Sequence, residues 1–180
     1  ILFYGKNEGL KNEIKKFILK DSKNILNFDE KEILENSVSF VESTLSKSLF
    51  DDEKTIIIKR ATDKIVKILE EIQFRNIDDI KIIVISENLE RKSKLRSFFE
   101  KSKNYICVPF YPDNEQSLMK FGLDFFQARK ISISQSNINL IVSKCNGDRG
   151  VLLNELNKIE SFSLTKNKIT TEEITKLTNL

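Results

Sequence analysis

The chain has 180 residues and a formal net charge of +3, with 39% hydrophobic and 32% charged residues. That length accommodates one large or two small domains, the composition excludes a disordered chain, and a charge so near neutrality selects no class of partner. No apolar run approaches the ~20 residues of a membrane span, no signal peptide is visible, and the absence of histidine removes Ser-His and Cys-His catalysis and most zinc sites.

In chain order, "ILFYG" is a continuous apolar run that reads as a buried strand stopping at Gly5. Leu10, Ile14, Phe17 and Ile18 then share one helix face. "NILNF" is a second strand. Asp29 with Glu32 forms a capping-box pattern that opens a helix whose expected inward stripe is Leu34, Val38, Val41 and Leu45. "KTIIIKR" is a third strand, and Ile65, Ile68, Leu69 and Ile72 mark the next helix. "KIIVIS" is a fourth strand. A basic helix follows with Leu95, Phe98 and Phe99 inward, and "YICVPF" is a fifth strand. Strands that are apolar throughout and separated by helices predict a parallel sheet covered on both faces, with ligands expected at the C-terminal strand ends.

The pattern changes at "PFYPD", where Pro109 and Pro112, the only prolines, bracket an extended link. Beyond it the apolar spacing is helical: Leu118, Phe121 and Phe125; then Ile138, Ile141, Val142 and Cys145; then Leu152, Leu156 and Ile159. "CNGDRG" is a turn in which Gly147 suits a helix C-terminus, and Thr170 with Glu173 is a capping box for one more helix. The expected organisation is therefore an open α/β domain over residues 1–112 and a small all-helical domain over residues 113–180. Cys107 and Cys145 both lie in apolar patterns and read as two buried thiols in a reducing cytoplasm. A chain that begins at isoleucine and stops at "KLTNL" is expected to be a piece of a longer protein.

An open parallel α/β sheet followed by a helical lid resembles the layout of AAA+ ATPases. A working phosphate loop there needs G-x-x-x-x-G-K-[ST], with backbone N–H groups around the phosphates, Lys on the β/γ-phosphates and a hydroxyl on Mg²⁺. "GKNEGLKN" has the right place between strand and helix. Gly5 and Lys11 stand where the first glycine and the lysine belong. Gly9 precedes the second glycine position, but Leu10 occupies that position and Asn12 replaces the hydroxyl. "KIIVISEN" ends in Ser86-Glu87 instead of an acidic pair. The loop is thus a degenerate phosphate loop, or simply a strand-to-helix turn.

Four stretches carry a more specific resemblance: "FYGKNEGL", "SLF" ahead of a strand, "ERKSKLRSFFEK" before the "VPFYP" link, and "NGDRGVLLNELNKI". In order and spacing the chain is similar to the delta subunit of the bacterial DNA polymerase III clamp loader. The resemblance implies a degenerate AAA+ domain, a helical second domain, and a collar domain that would begin about where this chain stops. It implies no cofactor and no catalytic residue. In the family an exposed apolar pair inserts into a pocket of the beta sliding clamp, and the matching residues here are Leu49 and Phe50, preceded by Ser48. Taken by pattern alone, Leu49 also continues the spacing of Leu45 and fits a core position. The implied partners are the beta sliding clamp, the gamma/tau and delta prime subunits, and primed DNA within the assembled loader. The implied setting is cytoplasmic, without a membrane. Arg149 stands near an arginine that senses nucleotide in active AAA+ relatives; beside a defective loop it becomes a surface or interdomain contact. Arg91, Lys92, Lys94 and Arg96 are candidates for DNA phosphate contact, against an ordinary solvated face. The alternatives are an active P-loop hydrolase with an unusual loop and a nucleic-acid-binding module.

Overall fold

The structure is a computed structural model that describes residues 1–45, 54–75, 80–164 and 169–178. The chain divides into two compact units, Ile1–Lys6 with Glu13–Phe110, and Asn7–Asn12 with Tyr111–Leu180.

The first unit is built on a five-stranded parallel sheet. Its strands are β1 (Leu2–Gly5), β2 (Asn24–Asp29), β3 (Lys54–Lys59), β4 (Ile80–Ile85) and β5 (Cys107–Phe110). Their order across the sheet is β2-β3-β4-β1-β5. The β-branched runs of β3 and β4 lie in the interior of the sheet, where side chains on both faces are covered. Pro109 is accommodated because β5 is an edge strand and its missing N–H breaks no ladder. The fifth strand starts at Cys107; Tyr105, expected within it, instead stacks on Phe98 and Phe99 at 5.5 and 5.4 Å. Cys107 is only half-buried, contrary to its expected burial, whereas Cys145 is buried.

The helices of the α/β region are α1 (Glu8–Ile18), α2 (Glu30–Glu35), α3 (Ser37–Leu45), α4 (Val66–Phe74, after a 3-10 turn at Asp63–Ile65) and α5 (Lys94–Lys101). Leu2, Ile56, Ile58 and Val84 of the sheet form one core with Phe40 and Val41 of α3, Ile68, Leu69 and Ile72 of α4, and Leu95 and Phe99 of α5. The expected stripe after Asp29 is corrected by a break at Asn36, whose backbone (φ −132°, ψ 47°) ends α2 before α3 begins. The break resets the helical phase, so Ile33 and Phe40 go inward while Leu34 lies at the surface and Val38 is 70% exposed. Phe17 is likewise exposed, although its spacing placed it inward.

The second unit holds α6 (Glu115–Ala128), α7 (Gln135–Lys144), α8 (Arg149–Ser163) and α9 (Thr171–Leu177) around their own core of Leu118, Phe125, Phe126, Ile138, Ile141, Leu152, Leu156, Ile159 and Ile174. No strand occurs there among the described residues. Successive left-handed residues, Asn146 (φ 48°) and Gly147 (φ 77°), end α7. Asp148 then caps α8 by accepting from the N–H groups of Gly150 and Val151 at 2.7 and 3.0 Å. Thr170 and Glu173 form the expected capping box of α9.

Candidate functional site

The loop from Gly5 to Asn12 is the first place to look for ligand chemistry. Gly5 has φ +124° and sits in register with Phe110 of β5; a Cβ there would lie 2.2 Å from the Phe110 carbonyl oxygen. Its N–H donates to the carbonyl of Glu87 at 2.9 Å. The glycine is thus required by close backbone packing at the strand ends, without reference to any ligand.

Asn7 caps α1. Its Oδ1 accepts from the Leu10 N–H at 3.0 Å, and its carbonyl accepts from the Lys11 N–H at 3.0 Å. Two of the backbone donors that would face a phosphate are therefore already used. Glu8 adds a carboxylate at the positive end of the helix dipole, where an anionic ligand would otherwise gain. The same Glu8 pairs with Lys11, whose side chain is 2% exposed. Leu10 is half-buried and Asn12 faces solvent. Gly9 serves packing: a Cβ on it would lie 2.9 Å from Gly150 N and 3.0 Å from Arg149 Cβ, so its bare backbone admits the start of α8.

Arg149 does not point into solvent. Its Nε donates to Asp113 Oδ2 at 2.9 Å, its guanidinium lies 4.3 Å from the Phe121 ring centroid, and the side chain is 12% exposed. Asp113 in turn accepts from Asn7 Nδ2 at 2.8 Å and from Ser117 Oγ at 2.7 Å. Asn7 Nδ2 also donates to the Tyr111 carbonyl at 3.0 Å. All of these residues belong to the second unit. Burial by itself raises the Asp113 carboxyl, but the hydrogen bonds from Arg149, Ser117 and Asn7 outweigh it and hold the group below its ordinary value. A depressed carboxyl contributes stability that is fully present above the unfolded value of about 4 and is lost as pH falls through the lower folded value. Asp113→Asn is therefore expected to lower stability near neutral pH and to flatten the acid limb of a Tm-versus-pH curve below about pH 4. Parallel acid limbs for variant and wild type would show that this carboxylate does not set the acid sensitivity.

The strand ends are closed as well. Ser86 Oγ donates to the Ala61 carbonyl at 2.6 Å, within the buried interior. β3 runs out into Arg60 (φ 53°), which pairs with Asp29, so neither β3 nor β4 presents an acidic pair at its end. Glu30 accepts from both the N–H and hydroxyl of Thr62 at 2.7 and 3.0 Å. Asp63 accepts from the Leu95 N–H at 2.9 Å and Ser93 Oγ at 2.6 Å; these bonds, the Leu95 amide first, hold its carboxyl below the usual range. A cavity of about 650 Å³ opens beside these loops, lined by Arg60, Thr62, Lys64, Glu87, Leu89 and Lys92 among others. Among the described residues no group of three or more Cys, Asp or Glu could hold a metal ion.

In the basic stretch, Arg96 donates to Glu100 at 2.7 Å and lies 5.1 Å from the Tyr4 ring centroid, and Lys92 pairs with Glu90 at 3.1 Å. Arg91 and Lys94 are exposed. Ser48, Leu49 and Phe50 lie outside the described residues. Asn7, Asp113 and Ser117 are not among the candidates that the sequence offers. Asn7 ahead of Glu8 carries a helix N-cap signal; nothing local marks Asp113, which meets Arg149 across 36 positions.

Among curated protein sequences none matches the chain. Among solved structures, the chain is similar to the Bacillus subtilis DNA clamp loader delta protein (YqeN), with TM-score 0.66 and 17% identity over 98% of this chain and 57% of that one. It is also similar to the Thermotoga maritima RuvB Holliday junction branch migration motor, with TM-score 0.61 and 12% identity over 99% of this chain and 60% of that one. For domain III of the Thermotoga maritima replication initiation protein DnaA the values are 0.53 and 13%, over 99% and 82%. The chain thus spans about 60% of the length of the first two. These likenesses, with the strand order, give an AAA+-like open parallel sheet followed by a small all-helical lid domain. The family described as "DNA polymerase III, delta subunit" matches residues 2–110. The chain belongs to the DNA polymerase III delta subunit family.

Proposed function

We propose that this chain is the clamp-handling part of a clamp-loader delta subunit and does not itself hydrolyse ATP. In this reading Ser48, Leu49 and Phe50 hold the beta sliding clamp, and binding favours the opened ring. That is selection of one partner conformation by differential affinity, with no bond chemistry. ATP acts through the neighbouring gamma/tau and delta prime subunits, and the opened ring is placed on primed DNA. Residues 1–112 carry the clamp-binding element and residues 113–180 form the lid. Arg149 serves an internal contact, and Arg91, Lys92, Lys94 and Arg96, the first three of them exposed, are the stretch's candidates for DNA phosphate contact. The setting is cytoplasmic; among the described residues no helix is long and apolar enough to cross a membrane.

The observation that carries the reading is the family match over residues 2–110, which takes in both the degenerate loop and Ser48–Phe50. The geometry of the loop supports the non-hydrolysing part. Lys11 is buried and pairs with Glu8, Leu10 and Lys11 N–H groups bond Asn7, and Ser86 is tied to the neighbouring loop.

Two measurements test it. The chain is expected to capture the sliding clamp equally well with and without Mg-ATP. Equilibrium dialysis is expected to find no Mg-ATP binding at micromolar concentration. Capture that requires ATP, or micromolar ATP binding, would return the chain to the hydrolase reading; absence of capture under both conditions would remove the clamp reading.

A further inference from the structure

We propose that Asp113 is a built-in anion filling an oxyanion site that the second unit forms from Asn7, Ser117 and Arg149. The donors are of the kinds that recognise a small oxyanion: one carboxamide, one hydroxyl and one guanidinium. Oδ2 takes Asn7 Nδ2 at 2.8 Å and Arg149 Nε at 2.9 Å, while Oδ1 takes Ser117 Oγ at 2.7 Å and Arg149 Nη2 at 3.4 Å. Both oxygens are thus held by donors on separate elements, and the carboxylate side chain is only 6% exposed. Phe121 backs the guanidinium and fixes its plane. The donors come from the capping residue of α1, the first turn of α6 and the first residue of α8. A single anion therefore bonds donors from three pieces of chain that lie far apart in sequence.

The consequence is a ligand-independent fastening. Asn7–Asn12 is kept against the starts of α6 and α8 by a group the chain carries itself, so this arrangement needs no bound phosphate. Gly9 belongs to the same device, since its bare Cα lets the Asn7–Asn12 segment come within packing distance of Gly150. Every residue of the device lies in the second unit, and the fastening stands whether or not the chain holds a clamp.

Chemical rescue tests it. Asp113→Ala deletes the anion and leaves its donors. It is expected to lower the Tm by about 5–10 °C, because a nearly buried guanidinium loses its counter-charge. Sodium formate, titrated against sodium chloride at matched ionic strength, is expected to raise the Tm of this variant saturably. It should leave wild type unchanged beyond the chloride control. In the double variant Asp113→Ala/Arg149→Ala the formate effect is expected to vanish, since the site has lost its cation. If Asp113→Ala is unfolded in chloride, the same titration is read as recovery of helical circular dichroism. No response to formate in Asp113→Ala, or an equal response in Asp113→Ala and the double variant, would overturn the proposal. An unchanged Tm for Asp113→Ala would do so as well.

Discussion

Replacing Leu49 and Phe50 together with alanine is expected to leave the fold within about 1 kcal/mol of wild type and to weaken clamp binding at least 100-fold. In the sequence this adjacent Leu-Phe pair stands between Ser48 and two aspartates, Asp51 and Asp52. Charge on that side opposes burial of the pair in the chain's own core. Two such side chains entering a partner's pocket can supply roughly 3–6 kcal/mol before association costs. A few desolvated anchors of this kind dominate many interfaces, so losing both removes about 3 kcal/mol or more of binding. Thermal melts test the first half and clamp titrations the second. A variant that unfolds places the pair in the core, as the Leu45 spacing would have it. A variant that stays folded and binds with unchanged affinity moves the contact elsewhere.

The second large effect is expected at Gly5. Gly5→Ala should destabilise the protein by more than about 3 kcal/mol, because two costs fall on one residue. The first is a left-handed φ of +124°. The second is space, since the new Cβ would come 2.2 Å from the Phe110 carbonyl oxygen and 2.9 Å from its nitrogen. Relief requires β1 and β5 to part at their ends, which breaks a ladder that runs to this last pair. Gly147→Ala is the control. Its φ is also positive, at +77°, but nothing lies within 4 Å of the added carbon. That variant should lose only about 1–2 kcal/mol, the conformational cost alone. Urea unfolding of both variants, compared at equal m-value, separates the two costs. Equal losses would mean that steric overlap at the sheet edge is relieved cheaply, and that φ alone dictates glycine at position 5.

Local features of the chain were enough to write its elements. Apolar runs gave the strands around Phe3, Ile57 and Ile83, and the spacing of Leu118 and Phe125 gave a helix, because periodicity reports which face of an element leaves water. The capping signal at Thr170, and the substitutions Leu10 and Asn12 in the loop, were equally open to reading, since each acts within a few residues of itself. Where those local rules met a discontinuity they failed. One residue, Asn36, ends a helix and restarts it in a new phase, and Val38 moves from the expected core to the surface. The fate of Arg149 was decided only in three dimensions. As a residue it is a cation beside a turn. In the fold it is matched to Asp113 across 36 positions and covered by Phe121. A buried charge is stable only beside a counter-charge and donors that fit it. That partner is chosen by how the elements pack, and packing brings together residues between which the sequence contains no local relation.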